Sequence, residues 1–276
     1  MIPGAFDYHR PTTLAEATGL LAEHGDAARV LAGGHSLIPM MKLRMAAPEH
    51  LIDLAAIEAL RGIALGTEIR IGAMVTQAEL IAHEGLAAAC PILREAALQI
   101  ADPQVRYVGT VGGNVANGDP GNDMPGLMQC LGARYALTGP DGSREVAARD
   151  FYHSAYVTER AEDEILTAIL IPHPAPGTGY AYEKQKRKIG DYATAAAAVM
   201  VGRSAASIAM TNLADRPIWS QAAGAALASG DVAGAVAAAL SEIDPSDDNR
   251  GPAEFKRHVA GVILKRAIER ARARAA

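Results

Sequence analysis

Aromatic side chains make up 4 % of this 276-residue chain, and it holds two cysteines and a single tryptophan. So few rings leave little on which exposed bases could stack. Positive charge is also in deficit: the formal net charge is −5, and the pI is near 5.9. Nucleic acid is therefore not expected as a main partner, because binding a phosphate backbone needs concentrated Lys and Arg. Cys90 and Cys130 cannot make a four-thiolate iron–sulfur or zinc site. Both lie in apolar, helix-like surroundings and read as buried free thiols. The longest run of small apolar residues, Ala193–Gly202, falls well short of the roughly 20 residues of a membrane span. The first ten residues lack a charged segment followed by an apolar one, so no secretory signal is visible and a cytoplasmic location is expected.

Several catalytic signatures are missing as well. No G-x-x-x-x-G-K-[ST] occurs, and no G-x-G-x-x-G opens a helix after a strand. That disfavours an ordinary ATPase or Rossmann dehydrogenase. Neither G-x-S-x-G nor H-E-x-x-H is present, so the commoner hydrolase machinery is not signalled.

What is present is glycine in two places. Tyr107–Asp123 packs glycines, asparagines and aspartates into a stretch too long for a tight turn and almost without bulk to bury. Glycine allows positive φ and a close approach of backbone to ligand. Successive amides in such a segment form an anion-binding concavity. A smaller relative, Ala32–Gly33–Gly34–His35–Ser36, follows an apolar strand at 28–32 and precedes a helical turn that Ser36 can cap. Strand, Gly-Gly turn and helix start make a phosphate-friendly order.

Half of the residues are hydrophobic, enough for a sizeable core, and the length suggests about two domains. Thr13–Leu14–Ala15–Glu16 and Thr76–Gln77–Ala78–Glu79 are capping boxes, and Gly25 is a natural helix stop. Period-two alternation over Ile63–Val75, with Gly66–Thr67 as its turn, predicts a hairpin. A helix is expected from Pro91 to about Ala101, then the long glycine loop, then a helix over Pro125–Leu131. Arg134–Asp150 reads as a hairpin turning at Gly139–Gly142, and Ile165–Ile171 as a strand. Pro172–Gly179 is the best domain boundary. Beyond it, Tyr180–Lys188 and Ser207–Asn212 read as strands, and Ala193–Val201 is ambiguous because its alanines favour helix. From Ile218 onward the pattern is helical, ending in Pro252–Ala275 with Phe255, Val259 and Val262 on one face. Its basic residues, Lys265 to Arg274, read as a solvated face suited to the negative end of the helix dipole. The class is α+β with mostly antiparallel strands.

Among candidate groups, His35 is a lone loop histidine. Asp119 and Asp123 do not have calcium-loop spacing, so no metal is expected. Asp123 can accept hydrogen bonds from a ribose or from backbone amides. Lys184, with Lys186, Arg187 and Lys188, is either a solvated strand end or charge compensation for a diphosphate. Tyr192, after Gly190–Asp191, is a candidate for stacking on a planar ring.

Taken together, Ala32–Gly33–Gly34–His35–Ser36 and Thr110–Val111–Gly112–Gly113–Asn114 resemble the two FAD-diphosphate motifs of the medium, flavin-binding subunits of the molybdenum hydroxylase (xanthine dehydrogenase) family. The likeness extends to Phe6–Pro11, Leu37–Arg44, Ile100–Arg106, Gly118–Asp123, Tyr182–Lys184 with Lys186–Lys188, Gly190–Ala193 and Thr211–Leu213. Within the family it runs to the aerobic branch that oxidises carbon monoxide. Gly202–Ala206 is shorter than the usual family hairpin.

The resemblance implies a p-cresol methylhydroxylase-type FAD-binding domain over 1–176, with subdomains of about 1–57 and 58–176. A C-terminal domain over 177–276, a three-stranded antiparallel sheet plus a helical bundle, would follow, making Ala193–Val201 a strand. Residues 32–36 and 110–114 would hold the FAD diphosphate and Tyr192 would lie over the isoalloxazine, with Asp123 and Lys184 assisting. No catalytic residue and no metal would belong to this chain. A large partner would carry a molybdenum–copper cofactor and a small partner two 2Fe–2S clusters, paired as a dimer of heterotrimers. Electrons would leave through FAD to an acceptor such as a quinone, in the cytoplasm or at the inner face of its membrane. Rival readings are a medium subunit acting with an aldehyde- or N-heterocycle-oxidising partner, a stand-alone flavin oxidase, and a cofactor-free assembly protein.

Overall fold

In the computed structural model, which describes residues 2–276, the chain begins with strand β1 (Asp7–His9), helix α1 (Leu14–His24) and strand β2 (Ala28–Leu31). Thr13 opens α1 by accepting the Glu16 amide at 3.2 Å. The Glu16 carboxylate takes the amide of Thr12, at 2.9 Å, and not that of Thr13, so this capping box is offset by one residue. Gly25, at φ 49°, ends the helix. Helix α2 (Leu37–Lys42) then leads to β3 (His50–Asp53), which lies between β1 and β2. Both pairings are parallel, against the antiparallel expectation. Parallel neighbours need a crossover, and α1 and α2 supply it. Ala17, Leu21, Ile52 and Leu54 fill the small core beneath.

Strands β4 (Ile63–Leu65) and β5 (Ile69–Gly72) form the expected hairpin. Thr76 and Glu79 make a complete capping box, with Glu79 accepting the Thr76 amide at 2.7 Å and Thr76 accepting the Glu79 amide at 3.1 Å. It starts α3 (Gln77–Ala82), which is followed by α4 (Glu84–Ala89) and α5 (Pro91–Ala97). The glycine-rich stretch is not the open loop its composition suggests. Most of it is wound into α6 (Pro103–Val108), α7 (Val111–Ala116) and the start of α8 (Asp123–Leu131). Next come the hairpin β6 (Arg134–Gly139) and β7 (Gly142–Ala147), the small pair β8 (Tyr152–Ser154) and β9 (Val157–Thr158), and β10 (Ile165–Ile171). The second sheet runs β4-β5-β10-β6-β7 and is antiparallel throughout. Every residue of β10 is buried, which is why it reads as an unbroken apolar run.

The third sheet, β11 (Gly179–Gln185), β12 (Ala195–Val201), β13 (Ala206–Thr211) and β14 (Ile218–Trp219), is antiparallel and ordered as numbered. Its short fourth strand occupies residues expected to be helical; the helices α9 (Gln221–Ala228), α10 (Val232–Ser241) and α11 (Ala253–Arg274) begin after it. The alanines of β12 make a strand because both faces are covered. Ala196 and Ala198 pack into the core shared with α8, whereas Ala195, Ala197 and Val199 face the cluster that includes α11. Methyl side chains let helices approach a sheet closely from both sides, and that packing outweighs helix propensity. The same closeness selects the buried face of α11, which is Ala260, Ile263, Leu264, Ala267, Ile268 and Ala271. Phe255, expected on that face, is 47 % exposed, and Val259 and Val262 are half-buried. A Cβ on Gly179 would fall 1.9 Å from the Ala271 carbonyl oxygen, so nothing larger fits under this helix. The basic end of α11 is not simply solvated. Arg274 pairs with Glu95 of α5 at 2.8 Å, and Arg270 pairs with Glu95 at 3.4 Å and with Glu183.

One polar knot sits inside the seam between β11 and the first turn of α8. Asp123 accepts from Lys184 Nζ at 2.8 Å and from the Tyr182 hydroxyl at 2.5 Å. The Lys184 and Asp123 side chains are 1 % and 5 % exposed. Burial, then the Asp123 charge, pushes the Tyr182 hydroxyl well above the ordinary phenol range, so it stays a donor. Cys90 and Cys130 are buried and unpaired by disulfide, as expected, and burial raises each thiol to about 12.

Two outcomes follow from this packing. Lys184→Met leaves a buried carboxylate without its cation and should cost about 3–5 kcal/mol in urea denaturation; adding Asp123→Asn should recover most of the loss. Wild-type stability in the single variant would mean that the pair carries no weight. Ellman's reagent at pH 8 should label neither cysteine in the native protein and both in guanidinium, since the thiolate is the reactive form; rapid native labelling would contradict their burial.

Candidate cofactor site

The two glycine turns meet. Gly33 lies so near the end of α6 that a Cβ on it would sit 2.3 Å from the Val108 carbonyl oxygen and 2.8 Å from Gly109 Cα. Across the same contact, a Cβ on Gly113 would reach Thr110 Oγ1 at 2.8 Å and Ala32 Cβ at 3.4 Å. Gly34 has φ 73°, as the turn requires, but Gly113 is not among the residues of positive φ. Its glycine is needed for close approach alone. Gly112 is held from behind, where a Cβ would lie 2.5 Å from Ala73 Cβ and 2.6 Å from its backbone.

The turns differ in what their amides do. In the second, Thr110 caps α7 by accepting the Gly113 amide at 3.0 Å, and the Val111 and Gly112 amides donate to the carbonyls of Val75 and Ala73. Those donors are satisfied internally. In the first, the amides of Gly33, Gly34, His35 and Ser36 donate to no acceptor among the described residues. Ser36 stands at the start of α2 without making the expected side-chain cap. The first turn therefore offers the donors for an anion, and the second offers the floor against which it packs. Asn114 adds a buried Oδ1 with no partner. A cradle closed to any Cβ, free successive amides and an unpaired acceptor are what a diphosphate linked to a ribose would use, so the residues fit FAD. His35 is exposed beside Gly109.

From Asn114 the wall continues toward Tyr192. The Asn122 amide group donates to the Asn114 carbonyl at 2.9 Å, and a Cβ on Gly121 would lie 3.0 Å from the Tyr192 ring. Tyr192 is 40 % exposed and borders a cavity of about 700 Å³ whose walls include Asp119, Tyr156, Asp244 and Arg250. Arg250 stands over the ring at 5.5 Å. Partial burial, then the Asp119 carboxylate, raises the Tyr192 hydroxyl above the ordinary phenol range, so the ring is neutral.

Asp123 and Lys184 both face inward. Expected to receive a ribose and a diphosphate, they are turned toward each other in the seam. The reason is burial: every residue of α8 is buried, and a carboxylate there needs a fixed counterion. Two side chains received no role from the sequence. Gln77 is 2 % exposed with both side-chain polar atoms unpartnered, and its backbone N–H donates to the Gly109 carbonyl at 2.9 Å. Its place inside a capping box disguised it as helix surface. Asn212, at φ 62°, takes the Pro120 carbonyl with its amide at 3.1 Å and the Ala193 carbonyl with its side chain, and so anchors the segment next to Tyr192.

Residues 4–174 match the family described as the FAD binding domain in molybdopterin dehydrogenase, and residues 180–271 match the CO dehydrogenase flavoprotein C-terminal domain. The carbon monoxide dehydrogenase medium chain of Afipia carboxidovorans is 59 % identical, with 100 % of this chain and 99 % of that one aligned. The corresponding chain of Hydrogenophaga pseudoflava is 46 % identical over the full length of both. A chain of the reconstituted CO dehydrogenase from Oligotropha carboxidovorans superposes with a TM-score of 0.96 at 59 % identity, covering all of each chain. With its glycine cradle, its sheet order and these matches over nearly every residue, the chain belongs to the FAD-binding flavoprotein family of the molybdopterin dehydrogenases.

Proposed function

We propose that this chain is the FAD-carrying medium subunit of an aerobic carbon monoxide dehydrogenase. The observation that carries the reading is the contact of the two glycine turns, with free amides on one side and the unpaired Asn114 Oδ1 on the other. Residues 32–36 and 110–114 hold the FAD diphosphate, and Tyr192 lies against the isoalloxazine. Asp123 and Lys184 take part indirectly, by fixing β11 and α8 so that the Tyr192 segment is presented. Residues 1–176 form the FAD-binding domain, divided near 57, and 177–276 form the C-terminal domain. FAD, when bound, supplies the redox chemistry; the chain supplies position and electrostatics.

Carbon monoxide itself is oxidised on a large molybdenum–copper partner, and a small partner with 2Fe–2S clusters relays the electrons. Buried thiols and the lack of a four-cysteine set agree with that division. The partners assemble as a dimer of heterotrimers and deliver electrons to a quinone at the inner face of the cytoplasmic membrane. No helix among the described residues is long and apolar enough to cross a membrane, which suits peripheral attachment.

Co-expression with the molybdenum and iron–sulfur chains should recover a complex that oxidises carbon monoxide. Recovery of a complex active only on an aldehyde or N-heterocycle would move the chain to another branch. Gly33→Ala and Gly113→Val should each lower flavin content at least ten-fold, read from absorbance near ~450 nm, while Gly19→Ala, which meets nothing within 4 Å, keeps it. Stoichiometric flavin in both turn variants would sink the cradle assignment. Tyr192→Ala should retain FAD but shift its reduction potential or its accessibility to solvent; an unchanged spectrum and potential would rule out stacking.

A further inference from the structure

Three of the eight histidines gather at one edge of the first sheet. His9 ends β1, His24 ends α1 and His50 begins β3. Their candidate ligand nitrogens all lie within 4.8 Å of one another. The His24 and His50 rings stack at 3.7 Å with 12° between planes, and His9 Nε2 is 3.1 Å from His50 Nδ1. All three are half-buried, and among the described residues their rings hydrogen-bond to nothing outside the trio. An Asp7 carboxylate oxygen stands 3.8 Å from His50 Nδ1 on a side chain that is 79 % exposed and able to swing.

We infer that His9, His24 and His50 bind one divalent transition-metal ion of the zinc, copper or nickel class. Imidazole nitrogens are the ligands these ions favour. At metal–nitrogen bonds of about 2.0–2.1 Å, tetrahedral ligands are roughly 3.4 Å apart, so the nitrogens must close by at most about 1.5 Å, within reach of ring rotation. Asp7 or a water completes the shell. The carbonyl end of α1, where His24 sits, carries the negative end of the helix dipole and favours a cation. Strand pairing brings the ligands together: Asp7 is in register with His50 across β1 and β3. The site is separate from the cradle, because His50 is in register with Ala28 and the Gly33 turn leaves the other end of β2.

The test uses the chelator-treated full chain with its flavin as purified, titrated with zinc chloride in a calorimeter. One equivalent should bind per chain. His24→Ala and His50→Ala should each weaken binding at least ten-fold, and His153→Ala, an exposed histidine paired with Glu159, should leave it unchanged. Copper(II) bound to the wild type should show hyperfine structure from three imidazole nitrogens, falling to two in His24→Ala. Because a variant may fail to fold, diethylpyrocarbonate labelling of the wild type provides a second reading: zinc should protect His9, His24 and His50 and leave His153 reactive. Absence of saturable uptake, or uptake that His24→Ala and His50→Ala do not weaken and that leaves the three rings open to labelling, would reduce the trio to side-chain packing and overturn the proposal.

Discussion

Between the Gly33 turn and the backbone at Val108–Gly109 there is no room for a methyl group. That exclusion ties together parts of the chain far apart in sequence: the parallel sheet that carries Gly33, the helical pair α6 and α7, and Ala73 beyond β5, against which Gly112 rests. Each partner is pinned from its other side. Gly112 cannot retreat from Ala73, and Thr110 is fixed by the Gly113 amide it accepts. Rigidity of this kind presents a row of unpaired amides without a further ordering cost when an anion arrives.

The second constraint is electrostatic and lies deeper. A buried carboxylate at the start of α8 would be intolerable alone, and Lys184 and Tyr182 make it tolerable by crossing from β11. Such pairs add little net stability compared with apolar packing, but they penalise misplacement strongly. Their effect here is on register. If β11 slipped by one residue, Lys184 would leave the seam, and Tyr182 and Ala181 would be driven toward each other's cores.

Much of this was legible in the sequence where local chemistry decides the outcome. The Thr76 capping box, the hairpin turning at Gly139–Gly142, the buried run of β10 and the two glycine motifs all announce themselves within a few residues. What the sequence hides has one cause, which is contact between distant segments. Tyr107–Asp123 looks like a loop because its glycines weaken helix propensity, yet packing against Ala73 and Ala32 winds part of it into α7. Asp123 and Lys184 look like ligand contacts because charge normally means solvent; only the fold reveals that both are buried. Gln77 was invisible because an unpaired polar group is a property of three-dimensional surroundings, not of the residue.

The alanines of β12 carry one further consequence, for the order in which the chain is made. The third sheet is complete by β14, whereas α11, which covers one of its faces, is translated only after α9 and α10. During that interval the sheet waits with one side open to the cell. A face of valine, isoleucine and phenylalanine left bare would invite pairing with other nascent chains. Ala181, Ala195 and Ala197 share that face with Val199, Ile208 and Met210; because they expose little beyond methyl groups, the residues that allow the closest final packing also shrink the adhesive area of the unfinished protein.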